Sequence, residues 1–189
     1  MRVFVAGATG VIGLRVVPLL MAAGHTVAAM TRSAARVAEL ERLGAEAVVC
    51  DAYDAEGLRA AVAAFEPDLV MSQLTDLPDD PARVAGAAAA NDRMRSEGTR
   101  NVVAAAAGRR LAVQSIAWEV AEHRRATIAA HEGAVLDAGG VVLRYGQLYG
   151  PDTYFRDTPP DPPRVHVDEA ARRTVAALEA LPGIVTIVE

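Results

Sequence analysis

Short apolar segments rich in Val, Ala and Met alternate with longer Ala-, Leu- and Arg-rich stretches along almost the whole chain. Short apolar runs bounded by turn residues are typical of buried strands, and the longer stretches are typical of helices. Strands are predicted at Arg2–Ala6, His25–Met30, Ala45–Cys50, Leu69–Ser72, Leu111–Gln114, Val141–Leu143 and Ile184–Val188. Helices are predicted at Val11–Ala23, Ala34–Leu43, Glu56–Ala64, Arg83–Ala107, Thr127–Ala138 and Asp168–Leu181. The alternation predicts an α/β fold, with helices on both faces of a doubly wound parallel sheet.

Residues at the predicted joints support some of these boundaries. Ser33 and Asp54 stand where an N-cap would accept the first free amides of a helix, and Gly44 follows a helix as a left-handed cap would. Pro18 lies inside the first predicted helix and is expected to bend it. The proline cluster Asp157–Pro163 predicts a surface loop or linker, since proline is excluded from central strands.

Length and charge narrow the class of protein. A chain of 189 residues suits a single domain, 1–189, and the net charge of -5 provides no basic surface for nucleic acid or anionic lipid. Cys50 is the single cysteine, and no apolar stretch approaches the roughly 20 residues of a membrane span. The four histidines lack a metal-binding spacing. We therefore expect a cytoplasmic protein with a small-molecule partner, and no metal, membrane or nucleic acid.

The first predicted strand leads directly into a G-x-x-G-x-x-G motif that is followed by a helix. In such a motif Gly7 permits the tight turn, Gly10 lets the backbone approach a pyrophosphate, and Gly13 lets helix and strand pack closely. The helix N-terminus then offers free amides to the phosphates. The alternative is a merely structural turn. The residues predicted to bind a dinucleotide here are Gly7, Thr9, Gly10, Val11, Ile12 and Gly13.

The residues after the second predicted strand bear on the choice of dinucleotide. NAD-selective domains usually carry an acidic residue there, which accepts hydrogen bonds from the ribose 2′-hydroxyl. This chain has Arg32 and Ser33 instead, and an arginine offers several donors to a 2′-phosphate. A solvated surface arginine is the alternative interpretation. NADP is the predicted cofactor, and NAD is the second choice.

Further segments follow in an order that resembles the extended and atypical branches of the short-chain dehydrogenase/reductase superfamily, which include NAD-dependent epimerases and dehydratases. The matching segments are Gly7–Gly13, Cys50–Ala52, Asn91 with Gly98–Asn101, Gln114–Ser115, Leu143–Pro151 and Val165–Ala170. The resemblance implies a Rossmann domain whose cofactor lies across the carboxyl ends of the strands.

The same resemblance implies positions for each part of the cofactor. Asp51 and Ala52 would lie near the adenine, and the segment Gln73, Leu74 and Thr75 near the ribose. Tyr145, Gly146 and Leu148 would flank the nicotinamide, and Ser115 would lie near the reacting carbonyl or alcohol. The C-terminal substrate lobe of these relatives is expected to be reduced or missing.

The catalytic dyad of the superfamily is the main departure. Members usually pair a tyrosine with a lysine four residues on, which lowers the pKa of the tyrosine for proton transfer. Alignment places these two positions at Arg124 and Ile128. The remaining catalytic candidates are Ser115, which would position substrate, and Tyr145 and Tyr149, which would be substitute proton donors. Ordinary packing around the cofactor, or a strand-end cap for Ser115, is the alternative.

The sequence therefore predicts an NAD(P)-binding oxidoreductase or epimerase/dehydratase that acts on a small or polyketide-like carbonyl or hydroxyl compound. One alternative is a sensor that binds NADP without turnover, and another is a non-redox isomerase or lyase that reuses the pocket. Missing acid/base residues also predict little reductase activity on simple aldehydes and ketones. A homodimer through the helices of residues 83–107 and 127–138 rests on the resemblance alone.

Overall fold

A computed structural model describes all 189 residues. Seven parallel strands form one sheet, and two further short strands form a separate parallel pair. The strands are β1 (Arg2–Ala6), β2 (Thr26–Thr31), β3 (Glu46–Val49), β4 (Leu69–Ser72), β5 (Arg110–Ile116), β6 (Val141–Tyr145), β7 (Gln147–Tyr149), β8 (Arg164–His166) and β9 (Gly183–Ile187). The helices are α1 (Gly13–Ala22), α2 (Val37–Arg42), α3 (Ala55–Phe65), α4 (Ala88–Arg93), α5 (Thr99–Ala106), α6 (Glu122–Asp137) and α7 (Val167–Ala176).

The strand order is β3-β2-β1-β4-β5-β6-β9, so the chain builds outward from β1 in one direction and then from β4 in the other. The direction of winding changes between β1 and β4, and open parallel sheets bind ligands at the carboxyl ends of strands on either side of such a change. The fold is therefore a doubly wound Rossmann fold, as predicted, and it forms a single domain.

Apolar side chains cover both faces of the sheet, which explains why the strand segments are uniformly apolar rather than alternating. Along β1, Val3 and Val5 belong to the core beneath α1 and α7, whereas Phe4 belongs to the core beneath α3 and α5. All of these side chains are completely buried. Pro18 lies inside α1, within the helix that the sequence predicted.

Two predictions of local structure are wrong. The predicted helix Arg83–Ala107 is not a single α-helix: short 3₁₀ turns precede α4, and a π-helical turn at Met94–Gly98 separates α4 from α5. Ser33 precedes a 3₁₀ turn, but its side chain makes no capping hydrogen bond. In contrast, Asp54 caps α3 by accepting from the amide of Gly57 at 2.9 Å, as predicted.

The strand pair β7–β8 was not predicted. It follows β6 directly, and its partner strand comes after the proline-rich loop that the sequence did predict. The pair brings the segment Gly146–Tyr149 against the start of α7, which begins at Val167. None of the helices combines the length and the apolar character that a membrane crossing requires.

Candidate functional site

The glycine motif forms a tight loop between β1 and α1. Gly7 has a φ of +81°, and a Cβ there would lie 2.8 Å from the carbonyl carbon of Gln73. A Cβ on Gly13 would collide with the carbonyl oxygen of Gly7. At Gly10, in contrast, a Cβ would meet only the Gly7 carbonyl oxygen, at 3.4 Å. Gly7 and Gly13 are thus required by the loop itself, whereas Gly10 leaves open space above it.

Backbone donors face this open space. Ile12 precedes the first residue of α1, and the amides of Thr9, Val11 and Ile12 make no hydrogen bond within the protein. Unpaired amides at a helix N-terminus attract phosphate oxygens, and the helix dipole adds to the attraction. The loop therefore fits a dinucleotide pyrophosphate, with room at Gly10 for its close approach.

Arg32 directly follows β2 and forms an ion pair with an acidic residue. Its Nη2 donates to Oδ1 of Asp76 at 2.8 Å, and the hydroxyl of Tyr53 donates to the other oxygen of that carboxylate at 3.0 Å. Since β2 and β4 flank β1, this ion pair passes above the carboxyl end of β1, where the glycine loop begins. Burial and then the bond to Asp76 raise the pKa of Tyr53 to about 12.

A second arginine near the loop was missed from the sequence. Arg36 donates from Nη1 to the carbonyl oxygen of Thr9 at 3.0 Å, and from Nε to Glu39 at 2.6 Å. Two arginines four residues apart after the second strand were the available signal. Arg32 and Arg36 together place two positive charges beside the start of the glycine loop, whereas Ser33 contributes no side-chain hydrogen bond there.

The predicted adenine and ribose residues lie on neighbouring loops of the same sheet edge. Ala52 is 2% exposed, and its carbonyl oxygen accepts from Asn101 at 2.9 Å, which fixes the turn that carries exposed Asp51. The backbone of Gln73 donates to Ala6, and the carbonyl oxygen of Leu74 accepts from Gln114. Thr75 is exposed. The structure thus brings these loops together with the glycine loop.

Ser115 is buried and already has a partner. Its hydroxyl donates to Oε1 of Glu132 at 2.6 Å, and the same carboxylate accepts from Arg144 on β6. Burial opposes ionisation of Glu132, but the bonds from Arg144 and Ser115 hold its pKa below the usual value. Since Ser115 is 0% exposed, its hydroxyl contacts this ion pair rather than the cleft.

Tyr145 projects to the opposite face of the sheet from Ser115. Its hydroxyl lies 2.6 Å from Oγ1 of Thr174 in α7 and accepts from Nε2 of Gln73 at 3.1 Å. The side chain is 4% exposed, and burial raises its pKa to about 12. The geometry favours packing for Tyr145, because a buried phenol of raised pKa is a poor proton donor.

The residues after β6 are also engaged in structural contacts. A Cβ on Gly146 would lie 2.7 Å from the backbone of Arg164, so this glycine permits the close approach of β8. Leu148 packs against the core. Tyr149 is half-buried and donates to the carboxylate of Glu189. The structure therefore does not bring Ser115, Tyr145 and Tyr149 to one point.

The two residues that the sequence alignment assigns to the dyad, Arg124 and Ile128, lie on α6. Arg124 donates to Oδ1 of Asp92 at 2.8 Å, and Ile128 lines an open cavity of about 280 Å³ with Trp118, Ile116 and Glu119. All 19 basic residues of the chain other than histidine are arginines, so no lysine is available to replace Ile128. The lining of this cavity contains no tyrosine and no lysine, and its ionisable side chains are Glu119, Glu132, Arg125 and Arg144.

Sequence comparisons relate the chain to NAD(P)H-binding proteins. A model of a family described as NAD(P)H-binding matches residues 7–135. A 3-diazoavenalumate denitrifying reductase from Streptomyces sp. is 39% identical over 228 aligned residues, which cover 95% of this chain and 73% of that protein. Since the aligned stretch is longer than this chain, the relative has internal residues without a counterpart here.

Solved structures of sugar-nucleotide enzymes share the fold. The UDP-glucose 4-epimerase of Thermus thermophilus, in complex with NAD, has a TM-score of 0.79 and 24% identity, and the match covers 100% of this chain and 78% of that one. The dTDP-glucose 4,6-dehydratase of Bacillus anthracis, also in complex with NAD, has a TM-score of 0.75 and 12% identity, over 100% and 75%. The likeness extends across the whole chain.

Proposed function

The chain belongs to the NAD(P)H-binding family of Rossmann-fold proteins, and we propose that it is an NADPH-dependent reductase of the diazo group of a small carboxylate compound. The observation that carries the proposal is a contrast within the site. The glycine loop keeps three unpaired amides for a pyrophosphate, whereas Arg124 and Ile128 stand at the positions that the sequence alignment assigns to the proton-transfer dyad. Such a site suits a reaction that takes a hydride but needs no proton from a tyrosine–lysine dyad.

Diazo chemistry meets this requirement. When bound, reduced nicotinamide supplies a hydride. A carbonyl that accepts a hydride becomes an alkoxide, which must be protonated. A diazonium group that accepts one is replaced by hydrogen and leaves as dinitrogen (R–N₂⁺ + H⁻ → R–H + N₂), so atoms and charge balance without an acid. The Streptomyces relative is named as a denitrifying reductase of such a compound, 3-diazoavenalumate.

The cavity beside α6 suits this substrate class. Ile116, Trp118 and Ile128 give it apolar and aromatic walls, which favour a flat conjugated compound. Glu119 is exposed at its rim and takes part in no ion pair, so its carboxylate is free to stabilise the positive diazonium group.

The arginines after β2 support NADPH rather than NADH. A 2′-phosphate would draw Arg32 away from Asp76, and Arg36 lies close to the same end of the glycine loop. Arginine binds phosphate through several charge-assisted hydrogen bonds. Thr9, Val11 and Ile12 would hold the pyrophosphate through their amides, with Gly10 beneath it.

The test is a turnover assay with 3-diazoavenalumate. We expect oxidation of NADPH with release of one dinitrogen for each cofactor, and negligible NADPH oxidation with simple aldehydes and ketones. Glu119→Gln should slow the diazo reaction while NADPH affinity stays unchanged. Reduction of aldehydes at a rate similar to that of the diazo compound would contradict the proposal. NADPH binding without turnover of any of these compounds would favour a dinucleotide sensor instead.

A further inference from the structure

Arg95 is buried without a hydrogen-bond partner. It belongs to the π-helical turn between α4 and α5, and its side chain is so enclosed that the residue is 5% exposed. Its Nε and Nη1 atoms are inaccessible to solvent and bond to no acceptor. A buried cation without a counter-charge is strongly unfavourable. Such a group therefore indicates an anionic partner from outside the chain.

A small cavity adjoins Arg95 at the carboxyl ends of β4 and β5. Ser72, Leu74 and Gln114 are among its lining residues, and its volume of about 10 Å³ is close to that of one oxygen-sized group. Leu74 also belongs to the loop that is predicted to contact the cofactor. The cavity thus lies beside the loop that is predicted to contact the ribose of the cofactor.

Neighbouring acceptors are already engaged. His131 lines the cavity, but one ring nitrogen contacts Thr99 at 2.7 Å and the other contacts the carbonyl oxygen of Gln114 at 2.9 Å. Asp92 accepts from Arg124, and Glu132 accepts from Arg144 and Ser115. Each carboxylate near Arg95 is therefore neutralised by another group.

A second guanidinium group acts on Arg95. Burial, and then the nearby charge of Arg124, lower the pKa of Arg95, while Asp92 and Glu132 oppose this shift. Arg124 is one helical turn from Ile128 on α6, and residues four apart on a helix are neighbours on its surface. Arg124 therefore lies on the same side of α6 as Ile128, which lines the larger cavity, and an anion between Arg124 and Arg95 would relieve the repulsion of the two guanidinium groups.

From these observations we propose that Arg95 binds the carboxylate of the substrate, with one carboxylate oxygen entering the small cavity and Arg124 flanking the group. This inference rests on the proposed function, because it assigns the acidic end of the same substrate. Arg95 lies within the π-helical turn, and its side chain is buried on the inner side of the helix. The carboxylate of the proposed substrate is thereby assigned to one side chain.

The test compares 3-diazoavenalumate with its methyl ester. Binding to protein saturated with oxidised NADP is measured by calorimetry, so that no turnover occurs. We expect the acid to bind at least about tenfold more tightly than the ester, the equivalent of one charge-assisted hydrogen bond. Arg95→Met should weaken the acid by about the same factor and leave the ester unchanged, while Arg95→Lys should restore part of the acid affinity.

Arg100→Met is the matched control, since Arg100 is an exposed arginine of the neighbouring α5 and should affect neither ligand. Equal binding of acid and ester to the unmodified protein would overturn the inference, and this comparison holds even if the Arg95 variants fail to fold. Turnover of acid and ester at equal rates with NADPH would refute the carboxylate site alone. Acid-selective binding without turnover would refute the reductase assignment alone.

Discussion

The two halves of the sheet edge differ in what their polar groups do. At the ends of β1 and β2, the amides of Val11 and Ile12 are unpaired and Arg32 is held only by an ion pair that is exposed on the arginine side. At the ends of β5 and β6, Ser115 and Tyr145 each bond to buried partners. The first half keeps unpaired amides that can bind a ligand, whereas the polar side chains of the second half are hydrogen-bonded within the protein.

This difference separates cofactor binding from proton transfer. The glycine loop keeps unpaired donors, whereas the catalytic candidates Ser115 and Tyr145 are hydrogen-bonded within the domain. A chain of this kind is suited to a reaction whose product needs no protein acid. Arg95 is the exception in the second half, since it is buried there without a partner.

The largest effect should come from the open position in the first half. Gly10→Val should abolish measurable binding of NADPH, because the side chain would fill the space that the pyrophosphate needs. The fold should survive, since a Cβ at Gly10 approaches only one atom of the loop. Fluorescence titration with NADPH measures the loss. Gly133→Val, at an open position in α6, is the control, and unchanged affinity in a folded Gly10→Val variant would refute the cofactor site.

In the second half, the largest effect should be on stability. Glu132→Ala should lower the free energy of unfolding by about 2–3 kcal/mol, because Ser115 loses its acceptor and Arg144 its counter-charge. NADPH affinity should stay constant. Urea denaturation of Glu132→Ala, Arg144→Ala and the double variant would measure the coupling. Additive losses would show that the pair contributes nothing.

The same pair determines a pH dependence with a definite sign. The pKa of Glu132 is lower in the folded protein than its ordinary value, so the stabilisation is present above about pH 4.3 and is lost as pH falls through the lowered pKa. The unmodified protein should therefore lose stability on acidification more steeply than Glu132→Gln. Parallel pH profiles would contradict this assignment.

A smaller effect should distinguish the two cofactors in the first half. Arg32→Ala should weaken NADPH by about 1.5 kcal/mol, the lower end for a charged hydrogen bond, because Arg32 must first leave Asp76. NADH affinity should hardly change. Asp76→Asn should strengthen NADPH by up to about 1 kcal/mol, since the competing carboxylate is removed. Equal losses for both cofactors in Arg32→Ala would mean that the residue supports the loop instead.

The smallest effect tests the tyrosines of the second half. Tyr145→Phe should reduce the free energy of unfolding by about 1 kcal/mol, because Gln73 and Thr174 lose a buried partner, and turnover should remain. Tyr149→Phe is the matched control, since Tyr149 bonds to a surface carboxylate and should change neither quantity. Loss of turnover with unchanged NADPH affinity in either variant would identify a proton donor.

Much of the fold was predictable because the signals are local. All seven strands of the main sheet were predicted, and the glycine motif indicated the turn between β1 and α1. The pair β7–β8 was missed because each strand has three residues and their pairing depends on contacts across the proline-rich loop. The π-helical turn at Met94–Gly98 was missed because an Ala-rich segment carries a helical pattern on both sides of it.

The residue types and loops of the candidate site could be predicted from the sequence, but the side-chain partners of these residues could not. The sequence indicated which loops meet at the sheet edge, since parallel strands end on one side. It gave no signal that Asp76 pairs with Arg32, because the two residues are far apart in the chain and become neighbours only when β4 joins β1. The burial of Arg95 was equally hidden, because its position within the π-helical turn directs it inward.

Trp118 has a practical consequence. It is the only tryptophan in the chain, and it lines the cavity beside α6, so the ultraviolet emission of the protein originates at one place. Reduced nicotinamide absorbs light in the range where tryptophan emits, so energy transfer from Trp118 reports how close the two groups lie. Quenching of the Trp118 emission by bound NADPH would therefore test whether the dinucleotide extends from the glycine loop to the substrate cavity.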